Sequence, residues 1–285
     1  MVAGNRPPAV AGTWYPAIPG ALTREVDGYL AAVADVPRGR LDAIVAPHAG
    51  LMFSGPVGAY SYKTAASCGP FDAAMLVGPS HYVAFDGVAL YPTGTFETPL
   101  GPARVDASLA DEVRAASPLI VDRPQAHGRE HSLEMQLPFI RRLLPDVPIV
   151  PLLMGFQTRE TIETLAEVLG RVAADRRVLL VASSDLSHYL EATDAVAHDR
   201  RVAECAAAFD AGRLLDLFEQ YPEGERGRFV ACGGGPMIAV MLAARARGAR
   251  EGRVLKYAHS GEISGDNSGV VGYLAAAFGA FTDVH

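Results

Sequence analysis

Three histidines stand just past short apolar runs: His48 in Ala46-Pro47-His48-Ala49-Gly50, His81 in Gly78-Pro79-Ser80-His81, and His188 in Ser183-Ser184-Asp185-Leu186-Ser187-His188. Imidazole ligates metals and carries protons near neutral pH, so three at equivalent positions point to a shared site. The prolines after the first two runs end each strand and fix where the next residues project. A fourth reactive group, Cys232, lies in Ala231-Cys232-Gly233-Gly234-Gly235-Pro236, ahead of a helical pattern. Glycines at a helix start let backbone N–H groups face an anion, and that helix end would depress a thiol pKa. A thiolate there would serve as a metal ligand or a nucleophile.

His131 and Glu134 open an apolar helical pattern, Ser132–Leu144. At a spacing of three they fall on one side of that helix, as acid/base or supporting groups or as a simple cap. Asp185 stands three residues before His188 on the same strand exit. The remaining candidates read as structural. His127 and His198 sit among charged residues and are expected in solvent. His259, Glu262 and Asp266 belong to a turn-rich loop, and Cys68 and Cys205 suit small buried apolar positions. His285 carries no signal. Nucleophile-elbow, phosphate-loop, dinucleotide and paired-cysteine zinc motifs are absent.

Elements of two kinds must position these groups. Apolar runs at Leu41–Ala46, Ala73–Gly78, Ile149–Met154 and Val178–Ser183 read as strands buried on both faces, followed by Arg253–His259 and Gly269–Leu274. Helical patterns cover Leu22–Val33, Pro56–Lys63, Ser108–Ala116, Ser132–Leu144, Thr158–Ala173, Thr193–Phe209 and Pro236–Arg247. Their alternation implies an α/β sandwich with helices on both sheet faces, and open α/β sheets bind ligands at the carboxyl ends of their strands. Hairpin-like segments around Val88–Thr95 and Gly94–Val105 suggest a mixed sheet. Pro222–Gly227 reads as a polar loop too short to separate domains, so one domain over 1–285 is expected.

The 285 residues are 49% hydrophobic, ample for a full core, which excludes disordered and fibrous classes. A net charge of −7 offers no overall basic footprint for nucleic acid. Three scattered cysteines argue for thiols in a reducing compartment. The start lacks a signal-peptide pattern and no apolar run reaches membrane-spanning length, so a cytoplasmic protein with no membrane partner is expected.

At these motifs the sequence resembles the Memo family, whose prokaryotic members are known as AmmeMemoRadiSam system protein B. The matching segments are Gly12-Thr13-Trp14-Tyr15-Pro16, Ala46–Gly50, Gly78–His81, Glu130-His131-Ser132-Leu133-Glu134-Met135-Gln136-Leu137-Pro138, Ser183–His188, and Cys232-Gly233 before Pro236. They run in family order over nearly the whole chain. The resemblance implies a three-layer α/β/α sandwich around a central mixed sheet, similar to class III extradiol ring-cleavage dioxygenases. It also implies His48, His81 and Cys232 as metal ligands, with Asp185 and His188 lining the site and His131 and Glu134 nearby.

Two neutral imidazoles and a thiolate leave a divalent ion at +1, as two histidines and a carboxylate do. Such a set suits Fe(II), while thiolate softness keeps Cu and Zn as alternatives. On this reading the protein is a dioxygenase-like oxidoreductase of unknown substrate. His188 would be a general base, and Asp185 would orient it or a water. A non-catalytic peptide- or anion-binding module and a metal- or Cys-dependent hydrolase are the other readings. The family name further implies association with an AMMECR-type protein and a radical SAM enzyme.

Overall fold

Residues 4–282 are described in the computed structural model. The N-terminal half contains β1 (Asn5–Arg6), α1 (Pro19–Ala32), β2 (Arg38–Ala46), α2 (Leu51–Cys68), β3 (Ala73–Pro79), β4 (Val88–Leu90), β5 (Thr95–Phe96) and β6 (Ala103–Arg104). Next come α3 (Ala107–Ala115), β7 (Ile120–Asp122), α4 (Pro124–His127), a 3-10 turn (Glu134–Gln136), α5 (Leu137–Leu143), β8 (Ile149–Met154) and α6 (Arg159–Val172). Then follow β9 (Val178–Ser183), β10 (Asp185–Leu190), α7 (Ala192–Ala207), α8 (Ala211–Glu219) and α9 (Glu223–Phe229). The series ends with α10 (Gly234–Ala246), β11 (Glu251–His259), α11 (Gly261–Ser264) and β12 (Val270–Thr282).

Nine strands form the central sheet: eight in the order β10-β12-β2-β9-β3-β8-β4-β7, and β11, which also pairs β12. Its heart is parallel: β2 pairs β9, β9 pairs β3, and β3 pairs β8. The flanks at β12 and β4 are antiparallel, which makes the sheet mixed. Successive strand residues face opposite sides of a sheet. Accordingly Ala43, Val45, Met75, Val77, Leu180 and Ala182 enter one apolar cluster, together with residues of α6, α8 and α10. Their neighbours Ile44, Ala46, Ala74, Leu76, Leu179 and Val181 enter a second cluster, with α1, α2 and α5. Two buried faces on one sheet give the α/β/α layering, and they explain why these strands read as unbroken apolar runs.

Four local expectations change. Helix α2 begins at Leu51, five residues before Pro56, because the Leu51 N–H is taken up by Trp14 O at 2.8 Å and Ser54 Oγ bonds back to Ala49 O at 2.7 Å. Strands β5 and β6 do pair as an antiparallel hairpin, but they form a separate small sheet with β1. The polar stretch from Pro222 is helix α9, not a loop, and it packs beside β10. Residues 131–136 are not α-helical; a 3-10 turn precedes α5, whose first turn holds Pro138. Among the described residues no single helix is long and apolar enough to cross a membrane. His285 lies outside them.

Candidate metal centre

Three adjacent parallel strands, in the spatial order β2, β9, β3, end at the same sheet edge and deliver His48, Asp185 and His81. The segment carrying residues 130–133 is drawn against β3 because Gly78 leaves room for it. A Cβ on Gly78 would stand 2.8 Å from both Ser132 Oγ and Leu133 Cδ2, and Ser132 Oγ donates to Pro79 O at 3.0 Å. Cys232 arrives from the other layer, at the entry to α10. These groups, with His131 and His188, line one cavity of about 690 Å³.

The hydrogen bonds fix which nitrogen each imidazole presents. The Ser183 hydroxyl donates its one proton to Ser132 O at 2.6 Å and accepts from Gln136 Nε2 at 2.8 Å. Toward His48 Nδ1, at 2.8 Å, it can only accept. His48 therefore carries its proton on Nδ1 and turns the Nε2 lone pair to Cys232 Sγ, 3.2 Å away. His81 Nδ1 lies 2.9 Å from Glu130 Oε1, so its Nε2 is likewise the free ligand atom. His188 Nδ1 meets two carbonyls, Leu186 O at 2.8 Å and Gly227 O at 3.1 Å, and must be the protonated nitrogen there too.

Electrostatics favour neutral ligands at His48. Burial, reinforced by His81, His131 and His188, holds its pKa well below the usual histidine value. Burial also works against charge on His81, but hydrogen bonds to Cys232 and Glu130 outweigh it and push that pKa up to about 10. Burial would raise the Glu130 carboxyl, yet the His81 hydrogen bond and charge, with His131 and the Ser132 N–H, hold it at about 2. His131 is lowered to about 4, chiefly by burial. Burial pushes the Cys232 thiol up despite its contact with His81, contrary to the expected helix-end depression.

That difference has a geometric cause. The glycines after Cys232 serve packing: a Cβ on Gly233 would meet Ser183 O at 2.4 Å, and one on Gly234 the Phe218 ring at 2.3 Å. The N–H groups of Gly233 and Gly235 are spent on Ser184 Oγ and Gln157 Oε1, at 2.9 and 2.7 Å. The turn holds no free anion cradle.

The donor set fits a metal ion. Ligand atoms of His48, His81 and Cys232 all lie within 4.8 Å of one another. Bonds of about 2.3 Å to sulfur and 2.1 Å to nitrogen, meeting at about 90–109°, separate the two atoms by about 3.1–3.6 Å. The Sγ···Nε2 distance of 3.2 Å falls inside that window. A second group, His81, Glu130 and His131, is also close enough to share an ion. Its carboxylate, however, already receives four N–H groups: the His81 ring and backbone and the backbones of His131 and Ser132. Glu130 reads as a clamp on His81.

The other sequence candidates divide. His131 lines the cavity, stacked on His81 with ring centroids 4.6 Å apart and tilted against Trp14 at 4.3 Å. Asp185 lines it as well, but its Oδ1 accepts the His48 and Ala49 N–H groups at 2.7 and 3.3 Å, and so fixes the ligand loop where orientation of His188 was expected. Glu134 is fully buried outside the cavity. It pairs Arg6 at 2.8 Å and accepts from Ala9 N, Val10 N and Tyr15 Oη at 2.7, 3.0 and 2.7 Å. Although the Met135 N–H closes an α-turn onto His131 O at 2.9 Å, the two side chains part, His131 into the cavity and Glu134 toward Arg6 and the Ala9–Tyr15 segment.

His127, expected in solvent, is buried against Tyr91 and Phe96, and His198 is half-buried against Tyr221 and Phe229. His259, Glu262 and Asp266 engage in local turn bonds. Sequence reading missed Glu130, although it adjoins His131, and Arg228 on α9. A carboxylate next to a site histidine was the available signal for the first. The second had none.

Fold and site together define a class: a three-layer α/β/α protein with a His/His/Cys cluster at the carboxyl edge of its parallel strands. The profile described as Memo-like protein matches residues 6–277, and the chain belongs to that family. It is 37% identical over 286 residues to the MEMO1 family protein MK0963 of Methanopyrus kandleri, covering 96% of this chain and 99% of that one. It is 35% identical over 279 residues to the MEMO1 family protein MTH_45 of Methanothermobacter thermautotrophicus, covering 94% and 98%. Among solved structures, the uncharacterized protein JW3007 from Escherichia coli K12 superposes with a TM-score of 0.55 at 17% identity. That match covers 84% of this chain and 100% of that one, and it bears on the fold alone.

Proposed function

We propose that the protein is a non-haem iron oxidoreductase of dioxygenase-like type, acting on a small hydroxyl-bearing substrate, with His48, His81 and Cys232 as the iron ligands. The observation that carries this reading is the tautomer pattern. Ser183 and Glu130 each take up an Nδ1 proton, leaving the Nε2 lone pairs of His48 and His81 beside the Cys232 sulfur. Fe(II) in such a set would supply open coordination positions for oxygen chemistry. Around it, His188 accepts a proton at Nε2 from a substrate hydroxyl, since its Nδ1 proton is anchored to two carbonyls. Asp185 keeps His48 in place through the backbone, and Trp14 and Tyr82 supply aromatic walls to the same cavity.

Metal content of anaerobically purified protein, wild type beside Cys232→Ala, tests this directly, with EPR under nitric oxide. One iron per chain, lost in the variant and responsive to the gas, is the expected result. Unchanged iron in Cys232→Ala removes the ligand assignment; redox-silent zinc in its place points to a hydrolase.

A further inference from the structure

The cavity walls carry features that metal ligation does not use. Tyr189 is 73% exposed, yet it holds a left-handed backbone with φ of 59°, and it lines the mouth. A bulky residue at positive φ is strained, and such strain persists where surrounding structure imposes it. Tyr82 and Trp14 face the same space, so three aromatic surfaces border the opening.

One arginine, Arg228, stands among the described residues that line the cavity. Its backbone is held from within the site: the carbonyl of the preceding Gly227 is tied to His188 Nδ1 at 3.1 Å. Arg228 lies over the Phe229 ring at 5.3 Å and, among the described residues, has neither a carboxylate nor a hydrogen-bond acceptor as partner. A second guanidinium, Arg129, stands 5.3 Å from the ring centroid of the lining residue Tyr82, also without a carboxylate among the described residues. The cavity's one acid, Asp185, is turned to backbone N–H groups through Oδ1. In a chain with net charge −7, a cavity whose free polar end is cationic is a local feature.

We infer that the cavity takes a planar aromatic anion, its ring between the aromatic walls and its carboxylate on Arg228. Arginine offers a planar fork that matches a carboxylate at two points. The inference deepens the metal-centre reading and rests on it for the direction in which the ligand's hydroxyl points; the preference for a carboxylate over an amide is assigned to Arg228.

The probes are 4-hydroxybenzoate and its neutral counterpart 4-hydroxybenzamide, which share shape and hydroxyl. Both are titrated calorimetrically into metal-loaded and chelator-treated protein, wild type and Arg228→Gln. Wild type should bind the benzoate at least about tenfold more tightly than the amide, as a charge-assisted hydrogen bond gives. Arg228→Gln should erase that preference while metal content stays unchanged, and Arg228→Lys should restore part of it. Equal binding of the two probes by wild type overturns the inference, as does failure of the benzoate to bind or a preference that survives in Arg228→Gln. If no metal loads at all, the chelator-treated arm still reads the charge preference, so the two readings fail separately.

Discussion

His81 and Glu130 are joined twice: the His81 backbone N–H donates to Oε2 at 2.6 Å and its ring Nδ1 to Oε1 at 2.9 Å. One carboxylate thus sets both the path of the loop after β3 and the rotation of the ring it carries. Outer partners of this kind tune a metal ligand's basicity as well as its orientation.

Glu130→Gln should therefore weaken metal retention. Loss of the carboxylate removes the charge that holds the His81 Nδ1 proton, and affinity should fall by about 10–100-fold. Competition against a coloured chelator measures this. Retention equal to wild type would mean that His81 needs no such clamp.

Glu134→Gln should behave differently. It breaks the buried pair with Arg6, at a cost of about 3–5 kcal/mol in a denaturant titration. The segment Ala9–Tyr15 then loses its anchor, so the emission of Trp14, the chain's sole tryptophan, should shift to the red. Metal content of the folded fraction should not change. A loss of metal without a loss of stability would instead place Glu134 among the site groups.

His127 gives the fold an acid sensitivity. Burial lowers its pKa to about 3, against the Ala89 carbonyl's opposite pull. Above pH ~6.5 the ring is neutral in both folded and unfolded chains and contributes no pH dependence. As the pH falls below ~6.5 the unfolded chain gains a proton that the folded chain refuses, so stability drops, by about 2 kcal/mol at pH 5. Unfolding titrations at pH 7 and pH 5 should show a smaller drop for His127→Leu than for wild type. An identical drop in the two proteins would assign the sensitivity to other groups.

The sheet and its edge were legible because the strands Ile149–Met154 and Val178–Ser183 are buried on both faces and stop at breakers or polar turns. His48 and His81 could be grouped for the same reason, each two residues past its strand, while His188 falls within the next strand, β10, beyond the end of β9. What stayed hidden depends on contacts made across the fold. Glu134 was misplaced because the groups that claim its carboxylate, Arg6, Ala9, Val10 and Tyr15, come from a distant part of the chain. Helix α9 was read as a loop since none of its residues is buried and its polar sequence has no apolar stripe. The glycines near Cys232 signalled an anion cradle, while their role is close approach to Ser183 and Phe218. Local patterns announce which segments are buried; they do not say which neighbour demands the space.

Strand β9 lies between β2 and β3 in space, although in the chain it begins at Val178, long after β2 ends at Ala46 and β3 at Pro79. The two histidine-bearing strands emerge first during synthesis but have no direct pairing with each other. Their rings reach a centroid separation of 5.2 Å only once the later strand has been inserted between them. Such non-local pairing comes late and slowly in folding. Neither half of the chain owns the centre, so a truncated or half-made molecule would display its imidazoles apart, and competence to capture an ion would arrive together with completion of the sheet.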